Sequence, residues 1–149
     1  MQAKRKAHQF CKDYVDLRIR RIQKQIDEVK SALSSESKST AGDKHETGRA
    51  MLQLEREKLG QQLLEAEKML QLLKKVPTET NSERVVLGSL VQTDHAYYYI
   101  AISAGRFETK DALIFCISPN TPMAKLLLGK ALNEVINFNK MTSKIIAIN

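Results

Sequence analysis

Apolar residues recur at helical spacing through the first half of the chain. Val15, Ile19, Ile22, Ile26, Val29 and Leu33 alternate steps of four and three, the a/d pattern of a coiled coil. Leu59, Leu63, Ala66, Leu70 and Leu73 repeat it. Between the two runs lies SSESKSTAGDKHETG, whose serine, threonine and glycine weaken a helix. Either stripe alone would stay exposed, and folding back on one another buries both. The pattern predicts an antiparallel coiled-coil hairpin over residues 1–76 with its tip near 34–48. About 25 to 30 residues per arm, at about 1.5 Å per residue, make a rod roughly 40 Å long. A single unbroken rod that dimerises is the competing arrangement, and it requires a continuous helix through 34–48.

The character changes at Pro77. The stretch KKVPTETNSE holds few apolar side chains and reads as a linker over 77–83. Beyond it, RVVLGSLVQT, AYYYIAIS, DALIFCIS and KIIAIN are rich in valine, isoleucine, tyrosine and phenylalanine, as strands are. One helix interrupts them. Thr121 is its expected N-cap, Pro122 takes the favoured first position, and MAKLLL ends at Gly129. The expectation is an α+β chain whose residues 84–149 form a small antiparallel sheet packed on one short helix.

Charge and composition narrow the function little. The net charge of +7 suits an acidic partner, which fits nucleic acid, an anionic membrane or an acidic protein groove alike. No apolar run approaches the roughly 20 residues of a membrane span. The charged opening MQAKRKAHQF leads into no apolar signal segment, so a cytoplasmic location is expected. Cys11 and Cys116 fall in different segments and read as reduced, buried or half-buried thiols rather than a disulfide or metal pair. There is no phosphate-binding glycine loop, nucleophile elbow or Cys/His cluster.

Three features carry candidate chemistry. In AGDKHETG, Asp43 and Glu46 stand three apart. On a helix starting near Gly42 they would share a face and could share a hard cation such as Mg²⁺. Acidic residues also favour the first turn of any helix, and Asp43 could serve only as an N-cap. His45 lies between them without a second histidine or cysteine at ligand spacing. The first helix carries Lys4, Arg5, Lys6, Lys12, Arg18, Arg20, Arg21 and Lys24. These are either a footprint for an acidic partner or a solvated exterior. No aromatic residues interleave with them, which argues against a stacking platform for single strands. The loop and helix ISPNTPMAKLLLGK form a stiff surface for docking, or simply start a helix.

These pieces in this order resemble the Gre transcript elongation factors of bacteria. The tip AGDKHETGRAM is similar to the family's Gly-Asp-x-x-Glu-Asn-x-Glu-Tyr: Gly42, Asp43 and Glu46 match, while Thr47, Arg49 and Ala50 stand for asparagine, glutamate and tyrosine. ISPNTPMAKLLLGK resembles the family's ISVDSPLAxALLGK at Ile117, Ser118, Pro122, Ala124, Leu127, Gly129 and Lys130. ALNEVINF and SKIIAIN stand loosely for the segments that close the family's chains.

The resemblance implies an FK506-binding-protein-like fold for the second part, docked on RNA polymerase at the rim of its secondary channel. The docking contacts would come from Ser118, Thr121, Pro122 and Met123, with Arg18 and Arg21 on the rod. The hairpin would enter the channel. Asp43 and Glu46 would share a Mg²⁺ with the polymerase, which cuts backtracked RNA with its own catalytic centre. The chain would then be no enzyme itself. It would hold no stably bound cofactor, meet the RNA 3′ end only indirectly, and act as a monomer. DNA binding is left open and no motif carries it. Arg49 replaces the family's third tip acid, which leaves a non-cleaving modulator or inhibitor of the same channel as the alternative. A structural coiled-coil adaptor is a further one. Prolyl isomerisation needs an aromatic-lined pocket, and this chain has no tryptophan.

Overall fold

The computed structural model describes the backbone of residues 2–37 and 42–149, and the side chains of all of these except 36, 37 and 42–45. Two long helices, α1 (Gln2–Ser37) and α2 (Gly42–Lys75), precede a six-stranded sheet with one short helix, α3 (Pro122–Leu127). The strands are β1 (Leu90–Thr93), β2 (Tyr97–Ile100), β3 (Gly105–Glu108), β4 (Leu113–Ile117), β5 (Val135–Phe138) and β6 (Met141–Ile148). The α+β organisation expected from the sequence is what the chain adopts. By contacts it divides into two compact units. Residues 15–70 form one. Residues 1–14 and 71–149 form the other, so the first three turns of α1 and the last turn of α2 group with the sheet.

In the helical unit the two heptad runs meet. Ile22, Val29, Leu59 and Ala66 make a buried cluster, flanked by the half-buried Ile19, Ile26, Leu33, Leu52 and Leu63. Val15, Ile22 and Val29, and Leu59, Ala66 and Leu73, are buried at steps of seven, while Ile19, Ile26, Leu33, Leu63 and Leu70 between them are half-buried. With only two helices, one seam position points straight at the partner and the other lies at its margin. Leu52 extends the expected run by one heptad.

The sheet has the order β3-β4-β2-β1-β6-β5. It is not wholly antiparallel, because β2 and β4 run parallel in register Tyr97↔Ile114 to Ile100↔Ile117. A parallel neighbour needs a crossover. Here the chain passes beyond the position of β4, forms β3 there, and returns by a hairpin. Thr109 closes that hairpin, its N–H donating to the Ala112 carbonyl at 2.9 Å. The stretch 84–93 is not one strand either. Gly88 breaks it with φ of +90°, and a Cβ there would sit 2.6 Å from the Pro77 carbonyl oxygen, so only glycine fits. Upstream of the break, Val85 instead exchanges backbone hydrogen bonds with Gly129 and Lys130, both at 2.9 Å. Between β5 and β6, Asn139 and Lys140 both have positive φ, 50° and 65°, the geometry of a tight two-residue hairpin turn.

Each sheet face has its own cover. On one face Val91, Ile100, Ile136 and Ile145 pack with Val85 and with Ala124 and Leu127 of α3. On the other lie Leu90, Tyr99, Ile114 and Cys116, all buried, on a common face by their register. The first turns of α1 lie over them. His8 Nδ1 and the Tyr99 hydroxyl pair at 2.7 Å, and Phe10 stacks on Phe107 with centroids 4.9 Å apart. Lys4, although a lysine, is only 6% exposed. Its ammonium donates to Thr80 Oγ1 at 2.9 Å and to the Asn149 carbonyl at 3.3 Å.

Two outcomes follow from this packing. Leu59→Ala should cost the hairpin about 2–5 kcal/mol, because Leu59 is 2% exposed. Leu54→Ala, at a 66% exposed position, should stay within about 0.5 kcal/mol; urea titration followed by circular dichroism distinguishes them. The second outcome concerns pH. Burial, with Lys12 and Lys4 nearby, lowers the His8 pKa below its ordinary 6.5. The unfolded chain therefore takes up a proton first on acidification. The stability held above pH 6.5 should decline as pH falls from there toward the lower folded value. His8→Gln should remove that part of the pH dependence, read as the difference in unfolding midpoint between about pH 7.5 and pH 5.

Candidate functional site

The tip of the hairpin is built by helix boundaries. α1 reaches Ser37 and α2 starts at Gly42, where the sequence places its breaker. Residues 38–41 lie outside the described residues, as do the side chains of Asp43 and His45. The backbone of Asp43 and Glu46 belongs to the first turns of α2, where unpaired N–H groups favour negative charge. The Glu46 side chain is exposed, and Arg49, one turn further along, is half-buried. The carboxylates of Asp43 and Glu46 are oxygen donors, the type that a hard cation takes. Two carboxylates leave most of an octahedral shell to water or to a partner's ligands. Among the described residues, no group of three or more histidine, cysteine, aspartate or glutamate side chains gathers to hold a metal.

The helix-entry loop is the second candidate. Thr121 caps α3 as its residue type suggests: its Oγ1 accepts from Ala124 N–H at 3.2 Å and donates to the Ser118 carbonyl at 2.9 Å. The Ser118 N–H in turn donates to Ser103 Oγ at 3.1 Å. Pro122 follows at the first helical position. Ala124 and Leu127 anchor the inner face, each fully buried. Of the four expected docking residues here, Pro122 is exposed, Ser118 and Thr121 are half-buried in the capping network, and Met123 is half-buried against the core. The outward surface of α3 is completed by Lys125 and Leu126, with Asn120 just before it. Helical spacing alone could have named Lys125 and Leu126, since they fall between the two anchors.

Arg21 is exposed on α1 and Arg18 is half-buried there. They belong to the helical unit, and the α3 surface belongs to the sheet unit. The charge divides unevenly between the two. Thirteen of the 24 lysines and arginines and seven of the 17 acidic residues fall in the sheet unit, leaving it +6 of the total +7. Of the eight basic residues named on α1, Lys4, Arg5, Lys6 and Lys12 fall in the sheet unit and Arg18, Arg20, Arg21 and Lys24 in the helical unit. Lys4 is engaged in holding the chain together.

Met123→Asp should destabilise the sheet unit by about 1–3 kcal/mol, since it sets a charge at the margin of the core. Lys125→Glu, on the exposed side of the same helix, should change stability by less than about 0.5 kcal/mol. Thermal unfolding of the two variants checks both.

Among the described residues, no helix is long and apolar enough to cross a membrane. Searched against models of protein families, the chain matches none, and a search of curated proteins returns no match.

Proposed function

We propose that the chain binds bacterial RNA polymerase as a secondary-channel elongation factor and stimulates cleavage of backtracked RNA. The observation that carries this reading is a two-helix hairpin whose second helix opens with Asp43 and Glu46, Glu46 being exposed. A strongly basic sheet unit accompanies it and suits docking on an acidic protein surface. The resemblance of the tip and of the 117–130 segment to the Gre factors supplies the identity of the partner.

On this reading the division of labour is physical. The hairpin delivers carboxylates at the end of a stiff element. The exposed α3 surface, with Pro122, Lys125 and Leu126, makes the docking contact, and the capping network of Ser118 and Thr121 holds it rigid. Asp43 and Glu46 would help hold a divalent cation at the polymerase's catalytic centre, where such an ion would supply polarisation of the attacking water and stabilisation of the leaving oxygen. The protein's own part is to position the carboxylates, and the bond is broken by the polymerase. No cofactor need travel with the free chain, because two carboxylates bind Mg²⁺ weakly on their own.

Arg49 favours a second reading, a channel modulator whose tip has lost cleavage activity. A cation one helical turn from Glu46 lowers the local negative charge.

An RNA cleavage assay on a stalled, backtracked polymerase separates these. The wild type should accelerate cleavage. The double variant Asp43→Ala, Glu46→Ala should lose at least about tenfold of that acceleration while keeping its affinity for polymerase and, within about 1 kcal/mol, its stability. Arg49→Glu should raise the rate. Cleavage only with Arg49→Glu would establish the modulator reading. A double-Ala variant indistinguishable from wild type in every polymerase assay would reduce both carboxylates to helix-capping residues.

A further inference from the structure

The sheet unit brings together the chain's two cysteines, which stand at opposite ends of the sequence. Cys11 sits in the third turn of α1 and Cys116 in β4. Both are free thiols with at most 1% of their surface exposed. The register explains the meeting. Cys116 is the direct partner of Tyr99 on β2, so both side chains project from one face. The Tyr99 hydroxyl reaches His8, which lies one helical turn before Cys11. The turn of α1 after this contact therefore buries Cys11 against the sheet face that holds Cys116. Each thiol is the chief influence on the other's acidity.

Two sulfurs buried in one layer of the core can bond where the backbone allows the required approach. Their acidity is also divided. Beside Cys116, the Cys11 pKa is lowered, and beside Cys11, with burial, that of Cys116 is raised. The thiolate is the nucleophile in thiol oxidation, so Cys11 is the sulfur that reacts first and Cys116 the one that resolves.

We propose that Cys11 and Cys116 form an oxidation site that closes to an intramolecular disulfide with hydrogen peroxide as oxidant. The Cys11 thiolate attacks one peroxide oxygen, the O–O bond breaks, and the hydroxide released takes up a proton to leave as water. Cys11 is then a sulfenic acid. The Cys116 sulfur, giving up its proton, attacks the Cys11 sulfur; the S–O bond breaks and a second water departs. Two thiols and one peroxide give one disulfide and two waters. The product ties the first three turns of α1 covalently to β4 and closes a loop of about 105 residues.

The test uses the full chain, fully reduced and then exposed to dilute hydrogen peroxide. Intact mass, alkylation of free thiols in denaturant and peptide mapping under non-reducing conditions are the readouts. Expected are a loss of two hydrogens, the disappearance of both free thiols, and one linked peptide joining the segments of Cys11 and Cys116 within a monomer. In Cys116→Ala the reaction should stop at a Cys11 sulfenic acid, trapped by dimedone. The proposal is overturned if both thiols survive prolonged exposure, if they are oxidised to sulfinic acid without a linked peptide, or if the only disulfide joins two chains. The wild-type mapping decides this even if the variant fails to fold.

Discussion

A sheet of six short strands has two apolar faces, and a helix of six residues can cover only one of them. Everything else in the sheet unit follows from how the second face is closed. The first three turns of α1 close it, through His8 on Tyr99 and Phe10 on Phe107. Without that cover Leu90, Tyr99, Ile114 and Cys116 would stand in water. Burying one large side chain is worth about 1.5–3 kcal/mol relative to exposure, so four of them matter greatly to a domain whose net stability is small. The same packing explains why the chain partitions within α1 and not at the linker. The helix is continuous, but its root belongs to one core and its shaft to another.

The division also separates the chemistry. The tip carboxylates and the heptad seam belong to residues 15–70, while the exposed α3 surface and most of the positive charge belong to the remainder. In the function proposed above, docking falls to one unit and delivery to the other, and the two make different demands. Docking needs a broad, rigid, charged surface. Delivery needs a narrow element with polar groups at its end. The capping of Thr121 on Ser118 and the anchoring of Ala124 and Leu127 supply rigidity to the first. The seam of Ile22, Val29, Leu59 and Ala66 supplies it to the second.

Much of this is legible in the residues. Heptad spacing identifies both helices, and the Thr121-Pro122 start and Gly129 end bracket α3 to within two residues. The two strands that the pattern misses, β3 and β5, are the two edges of the sheet. An edge strand needs only one ladder of hydrogen bonds. GRFE therefore gets by with a single large apolar residue, and VINF looks like part of a loop. The split of 84–93 at Gly88 depends on the approach of Pro77, a contact between segments that no local pattern records. The parallel pairing of β2 with β4 is equally non-local. At the candidate site, the sequence supplies Asp43, Glu46 and Pro122 as residue types in the right context. Helical spacing also places Lys125 and Leu126 outward, but it does not reveal that Met123 packs at the margin of the core. Cys11 and Cys116 carry no spacing signal at all, because the fold alone brings them together.

The last strand holds an inner place. β6 lies between β1 and β5 and bonds to both, so β5 joins the sheet only through it. The hairpin seam, by contrast, joins segments that are close in sequence and can form early. Contacts of large sequence separation are slow to make, since the loop they close must be ordered first. The shaft of the helices should therefore form while the root of α1 waits, its apolar side exposed, for the strands that carry Tyr99 and Phe107. Ala7, Phe10 and Cys11 are then the surface that a chaperone would meet on the growing chain.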